Sequence, residues 1–173
     1  MLIRPLIPAD DRSGFTCGDP DYDEFLHKYA GQNQFTHHVG VTYVAVDGQE
    51  IAGYVTVAAG EVDRDTRPPE LVGLPRYPTP CLRIARLAVA LSHQGEGIGM
   101  DLIGAALGLA LWMRDHVGCT IVVLDALRTR VPYYEGLGFR AFAPVVGRSP
   151  VAGTVQMYLL VRDIESARRG EAQ

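Results

Sequence analysis

LRIARLAVALSHQGEGIGMDLIGAALGLALWMRDH, residues 82–116, sets an apolar run directly against a glycine-rich turn and then a long helical pattern. Leu82 to Leu91 reads as a buried strand, and from about Gly97 to His116 the residues Leu102, Ile103, Ala106, Leu107, Ala110 and Leu111 recur as one stripe of a helix. Trp112 on that helix is expected in the core. Between the two lies Gln94, Gly95, Glu96, Gly97, Ile98, Gly99. Closely spaced glycines let backbone N–H groups turn inward without Cβ interference, and the helix start adds unpaired donors and the positive end of its dipole. Such a turn suits a pyrophosphate. It is not a Walker loop, because no Lys followed by Ser or Thr closes it. A dinucleotide fingerprint would need glycine where Met100 stands and would open the chain. A glycine-rich turn with no ligand is the remaining alternative.

Working outward, Thr120 to Leu124 is continuously apolar, as a central strand covered on both faces should be. A short helix over Val131–Leu137 is stopped by Gly138, and two strands, Phe139–Phe142 and Thr154–Val161, follow. Upstream, Leu2 to Ile7 reads as an edge strand ending at Pro8. Asp19 and Pro20 open a helix carrying Phe25, Leu26 and Tyr29, with a second helical piece over Gln32–His38. Val41–Val46 and Ile51–Ala58 form a hairpin through Asp47, Gly48 and Gln49. Gly60 to Pro80, with five prolines, is a long loop. The order predicts a mixed α/β sheet in one domain over 1–165, with a frayed tail over 166–173.

The chain has 173 residues, 47% hydrophobic and 21% charged, which excludes disordered, collagen-like and disulfide-scaffold classes. No apolar run reaches the length of a spanning helix, and Met1 to Asp10 lacks a signal-peptide layout, so a cytoplasmic protein with no membrane association is expected. Cys17, Cys81 and Cys119 stand far apart with no metal-ligand spacing, so no metal site is expected and each is read as a buried or half-buried thiol. A net charge of −4 weakens a nucleic-acid reading. Its distribution is uneven: residues 10–24 hold six acids against Arg12, whereas 126–150 hold Arg128, Arg130, Arg140 and Arg148 against Glu135. Fifteen of the sixteen cations are arginine, which disfavours a catalytic lysine.

Gln94 to Gly99 resembles the Q/R-x-x-G-x-G/A signature of the GNAT acyltransferases. Arg86, Leu87, Ala88 and Val89 precede it as in that family's fourth strand, and Tyr134 to Phe139 resembles its Y-x-x-x-G-F element. Phe15, Cys17, Gly18, Asp23, Phe25, Leu26, Ala30, Asn33 and Gln34 are similar to the opening of a GNAT subgroup that contains acetyltransferase toxins of toxin-antitoxin modules. The resemblance implies a mostly antiparallel sheet, flanked by helices and splayed between strands four and five. It also implies acetyl-CoA as cofactor and N-acetylation of a primary amine by direct attack, the amino group of a charged tRNA being the most specific acceptor. A small amine, a protein amine or a non-catalytic acyl-CoA module are the alternatives. A ribbon-helix-helix antitoxin and a homodimer are the expected protein partners.

On that resemblance Leu87, Ala88 and Val89 give backbone contacts to pantetheine, an N–H near Val89 stabilises the oxyanion, Gln94, Gly95, Glu96, Gly97, Ile98 and Gly99 take the pyrophosphate, and Tyr134 is the general acid. Tyr133 is read as structural. Glu61, Asp63 and Asp65 are candidate bases. His37, His38 and His93 are read as surface or capping residues, and Asp125 as a turn cap. Arg64, Arg67, Arg76, Arg128 and Arg130 are candidates for an RNA-binding rim.

Overall fold

The computed structural model describes residues 1–143 and 152–165; Arg148 and the tail from Ser166 lie outside them. Numbered in chain order, seven strands, β1 (Leu2–Pro5), β2 (Val41–Asp47), β3 (Glu50–Val62), β4 (Thr79–Val89), β5 (Ile121–Leu127), β6 (Arg140–Ala141) and β7 (Thr154–Leu160), run in the order β1-β2-β3-β4-β5-β7-β6, antiparallel but for β4 and β5, and the chain divides into two compact units. Three elements pass along the chain from one unit to the other: β3 (Glu50–Val62), β4 (Thr79–Val89) and α3 (Ile98–His116).

The first unit spans Met1–Ala58 and Ile84–Gly108. It starts with β1 (Leu2–Pro5), which pairs with β2 (Val41–Asp47), Ile3 lying opposite Ala45. Between them runs a helical stretch of α1 (Pro20–Glu24), a π-helical turn (Phe25–Tyr29) and α2 (Ala30–Phe35). Two helical pieces were expected and one run is found; the π turn absorbs one extra residue where Phe25 and Leu26 are buried. Asp19 caps it, its carboxylate accepting from the Asp21 amide at 3.0 Å. The hairpin turns through Gly48 in the left-handed region, at φ 59°. Inside it the buried Thr42 and Thr56 hydroxyls meet at 2.9 Å.

Tyr54, fully buried on β3, organises this core. Its ring takes the edge of Phe15 at 5.4 Å and stacks with Phe25 at 6.1 Å. Its hydroxyl donates to the Tyr22 carbonyl at 2.9 Å, fastening the helical run to the sheet, and burial pushes its phenol far above the ordinary range. Gln34 acts as a piece of backbone: its side chain donates to the Leu6 carbonyl and accepts from the Thr42 amide, both at 2.9 Å. Arg4 closes the edge with a forked pair to Asp10 at 2.8 and 2.6 Å.

The second unit spans Ala59–Arg83 and the chain from Leu109 onward. It adds β5 (Ile121–Leu127), α4 (Val131–Gly136), β6 (Arg140–Ala141) and β7 (Thr154–Leu160). Ile121 to Leu124 are all buried, as a central strand requires, and β5 pairs antiparallel with β7. The loop after β3 begins at Asp63, not Gly60, because β3 runs to Val62, which is buried beside Leu71 and Cys81. Arg67 holds this loop in shape, its guanidinium donating to the carbonyls of Leu74, Pro75 and Tyr77. Glu70 accepts from Arg140 and from the Tyr158 hydroxyl. Trp112, expected in the core, is 52% exposed and stacks on His116 at 4.5 Å. It sits off the stripe that buries Leu102, Ala106 and Ala110. Among the described residues no helix is long and apolar enough to cross a membrane.

The Arg4 hydrogen bonds, reinforced by one from the Ile7 amide against the cost of burial, hold the Asp10 carboxyl below its ordinary range. Its folded value being depressed, its contribution is present at neutral pH and lost on acidification. Asp10→Asn should lower stability by about 1–2 kcal/mol near pH 7 in denaturant titrations. The difference from wild type should shrink below about pH 4.

Candidate functional site

The exit of β4 is tied to β3. The Ala90 amide donates to the Ala52 carbonyl of β3 at 2.8 Å, and the Ala88 carbonyl faces Gly53. A Cβ at Gly53 would stand 3.0 Å from that oxygen and 3.1 Å from Ile98, so glycine lets α3 and the strand approach. Strand alternation then turns the Val89 amide and carbonyl away from β3. The Val89 carbonyl accepts from the Gln94 side-chain amide at 3.2 Å, and the same nitrogen donates to the Cys17 carbonyl at 3.2 Å. With its side chain so engaged, Gln94 offers an anion only its backbone.

A second tie, Leu91 amide to Thr16 carbonyl at 2.9 Å, fixes residues 16–18 beside this exit. Asp23 braces them from behind, accepting from the Thr16 hydroxyl at 2.8 Å and the Cys17 amide at 2.7 Å. Burial opposes its ionised form, but these hydrogen bonds prevail and hold its carboxyl below the ordinary range. Burial pushes the Cys17 thiol up to about 11, so it is no thiolate nucleophile at neutral pH.

Beyond the Leu91–His93 turn, Gly95 and Gly97 both adopt left-handed backbone, at φ 88° and 85°, with open space where a side chain would stand. The Met100 and Asp101 amides both bond the Gly97 carbonyl, so the donors before them stay outside the helical ladder. Reversed handedness at alternate residues aims successive amides into one concavity, the geometry an oxyanion group needs. Ile98 is 3% exposed and anchors the helix start, whereas Glu96 and Gly99 are exposed and half-exposed. These residues fit a pyrophosphate. Leu87 and Val89 are half-buried and Ala88 is buried. His93, expected at the surface or as a cap, is half-buried; it shares a hydrogen bond with the Ser92 hydroxyl at 2.8 Å, and its other ring nitrogen lies 3.7 Å from Asp47.

In the second unit α4 presents Tyr134, half-buried, with its ring edge-on to Phe139 at 5.8 Å and to the exposed Tyr133 at 5.3 Å. Gly138, at φ 88°, reverses the chain so that the Phe139 amide returns to the Tyr134 carbonyl at 3.0 Å. Asp125, expected to cap a turn, instead pairs with Arg83 at 2.9 Å. Glu61 is exposed on β3, and Asp63 and Asp65 are exposed after it. Arg64, Arg76, Arg128 and Arg130 are exposed, whereas Arg67 belongs to the loop's interior structure. His37 and His38 are exposed beyond α2. Among the described residues no group of His, Cys, Asp or Glu could hold a metal ion. Sequence reasoning passed over the Arg86 side chain, which packs on Tyr22 and Phe25; neither spacing nor composition signals that contact.

The same Gly→Ala substitution should have opposite signs at two places in this region. Gly97→Ala, forced into left-handed backbone, should cost about 1–2 kcal/mol. Gly104→Ala, on the exposed face of α3 with open space around it, should stabilise by up to about 1 kcal/mol. Urea unfolding of both variants checks this.

Residues 38–141 match the acetyltransferase (GNAT) domain family. The chain is 29% identical to a tRNA-acetylating toxin of Mycobacterium tuberculosis (strain ATCC 25618 / H37Rv) over 124 residues, which cover 72% of this chain and 74% of the toxin. Its fold matches that of AtaT complexed with acetyl-methionyl-tRNAfMet, with a TM-score of 0.81 and 22% identity, covering 96% of this chain and 98% of the other. It also matches a tyrosine-to-phenylalanine mutant of AtaT bound to the C-terminus of the antitoxin AtaR and acetyl-CoA, with a TM-score of 0.74, 22% identity and 96% of each chain covered. A domain match over more than half of the chain, together with the left-handed glycine loop between β4 and α3, shows that this protein belongs to the GNAT acetyltransferases, enzymes whose acyl donor is acetyl-CoA.

Proposed function

We propose that the protein transfers the acetyl group of acetyl-CoA to the amino group of an aminoacyl-tRNA. The observation that carries this reading is the likeness to a tRNA-acetylating toxin across most of the chain, combined with a β4 exit whose Val89 amide turns away from β3. In the proposed division of labour the backbone of Leu87, Ala88 and Val89 holds the pantetheine arm. The amides of Gln94, Gly95, Glu96, Gly97, Ile98 and Gly99 hold the pyrophosphate, their negative partner favoured by the dipole of α3. The Val89 amide faces the carbonyl oxygen that gains charge.

Acetyl-CoA supplies an activated thioester, so no covalent intermediate on the enzyme is needed. The amine attacks the acetyl carbon, the C–N bond forms as the C–S bond breaks, and the amine proton passes to water. Tyr134 gives its hydroxyl proton to the departing sulfur, so that coenzyme A leaves as the thiol, and the tyrosinate regains a proton from water. Its ring, fixed edge-on by Phe139, holds the hydroxyl in one direction. The antitoxin-bound AtaT supports an antitoxin as protein partner; we take it to be a small protein of ribbon-helix-helix type and, with charged tRNA as acceptor, place the reaction in the cytoplasm. A homodimer completes the proposal. The net charge of −4 favours a second reading, a small-molecule amine as acceptor.

Labelled acetyl-CoA incubated with purified charged tRNA and, separately, with a panel of free amines separates the two. We expect label on the aminoacyl group, with Tyr134→Phe lowering kcat about 100-fold and leaving acetyl-CoA affinity unchanged. Label confined to free amines would move the protein to small-molecule acetylation. A wild-type rate for Tyr134→Phe on a verified acceptor would remove Tyr134 from the proton step.

A further inference from the structure

Arg86 lies half-buried on β4, with its guanidinium carbon 4.5 Å from the Phe25 ring centre and 5.5 Å from that of Tyr22. Both residues are tied to the buried Tyr54, Phe25 by its ring stacking on that of Tyr54 and Tyr22 by its backbone carbonyl accepting from the Tyr54 hydroxyl. Among the described residues no carboxylate comes within ion-pair distance of Arg86. Its counterparts differ: Arg83, three residues earlier on the same strand, has Asp125, Arg4 has Asp10, Arg114 has Asp115 and Glu165, and Arg67 has three carbonyls. Arg12, also half-buried and, among the described residues, without a carboxylate at that distance, still stands near enough to Asp10 to lower its carboxyl.

Aromatic rings engage the flat face of a guanidinium and leave its in-plane N–H donors unmet. A planar donor fork held flat and partly stripped of water is suited to two oxygens of a phosphate or carboxylate. Arg86 shares its strand face with Ala88 and Ala90, which are buried against Phe15, Phe25 and Tyr54. It therefore projects among the N-terminal helical residues, one strand step from the Leu87–Val89 backbone proposed to hold the thioester arm.

We propose that Arg86 is an acceptor-binding residue that receives the terminal phosphodiester of the charged tRNA, Tyr22 and Phe25 holding its donor fork in plane. This rests on the aminoacyl-tRNA reading above. In that acceptor the reacting amine is joined through one aminoacyl ester and one ribose to a phosphodiester, so an anion travels close behind the amine. Holding it orients the amine and converts binding energy into positioning.

The test is steady-state acetylation of purified charged tRNA by wild type, Arg86→Gln and Arg86→Lys across a range of salt, with acetyl-CoA binding measured at equilibrium on each protein. Arg86→Gln should raise KM for charged tRNA about tenfold or more and reduce the slope of log kcat/KM against log salt by about one. Acetyl-CoA affinity should stay within about twofold of wild type, since the donor's phosphates belong to the glycine loop. Arg86→Lys should keep the slope and still raise KM several-fold, because an ammonium lacks the planar fork. Unchanged KM and slope in Arg86→Gln, or equal weakening toward acetyl-CoA, would overturn the assignment. If wild type labels no charged tRNA but does label free amines, the aminoacyl-tRNA reading has failed by itself. Amines with and without a phosphate or carboxylate then decide Arg86: a loss confined to the anionic ones keeps it as an anion-binding residue, and no such loss overturns it.

Discussion

One backbone alternation shapes the end of β4: the Ala90 amide bonds the Ala52 carbonyl of β3, the Ala88 carbonyl lies against Gly53, and Val89, between them, faces the other way. Gly53 allows the alternation by removing the Cβ that would press on the Ala88 carbonyl, and Gln94 completes it by occupying the Val89 carbonyl. The Val89 amide is thereby oriented by three contacts, none made by its own side chain. A backbone donor fixed in this way needs no reorganisation when charge develops opposite it, which is why such donors serve catalysis better than flexible side chains.

The fold is largely legible in the sequence because its signals are local. Alternation and β-branching mark β2 and β3, the continuous apolar run marks β5, and the glycine spacing marks the β4–α3 turn before any contact is known. The departures have tertiary causes. β3 extends through Gly60 and Glu61, which propensity assigns to a loop, because Val62 is buried beside Leu71 and Cys81. Trp112 reads as core by size and is exposed, since helical phase and not hydrophobicity decides which face of α3 is covered. Gln94 shows the same limit inside the motif: its spacing from the glycines is visible in the sequence, but its hold on the Cys17 carbonyl, from a segment far upstream, is not. Arg86 is the extreme case, since its two rings lie more than sixty positions away in sequence.

The N-terminal segment has two tasks that the sequence shows as one acidic run. Residues 10–24 carry six acids, yet most of them are engaged in local structure. Asp10 is forked to Arg4, Asp11 accepts from the Ser13 amide and hydroxyl, Asp19 caps the helix, and Asp23 braces Thr16 and Cys17. Glu24 pairs with Lys28 one helical turn on. A charge paired or placed on a helix N-terminus contributes a dipolar field that falls off within a few ångströms, faster than that of an isolated ion in salt.

The net charge of −4 is therefore a poor measure of what a polyanion would meet at this protein. What counts is the potential along its path of approach, and cations that among the described residues have no carboxylate at ion-pair distance, such as Arg86 among the N-terminal helical residues and Arg64, Arg76, Arg128 and Arg130 on the second unit, contribute to it out of proportion to their number. Exposed arginines of this kind give long-range attraction that salt weakens, whereas a half-buried guanidinium gripped by rings gives short-range orientation that salt weakens less. An acidic acetyltransferase that separates these two functions can bind an anionic acceptor without the basic composition that nucleic-acid binding usually brings. The cost falls on association rate rather than on the geometry of the bound amine, and it is the bound geometry that sets the chemical step.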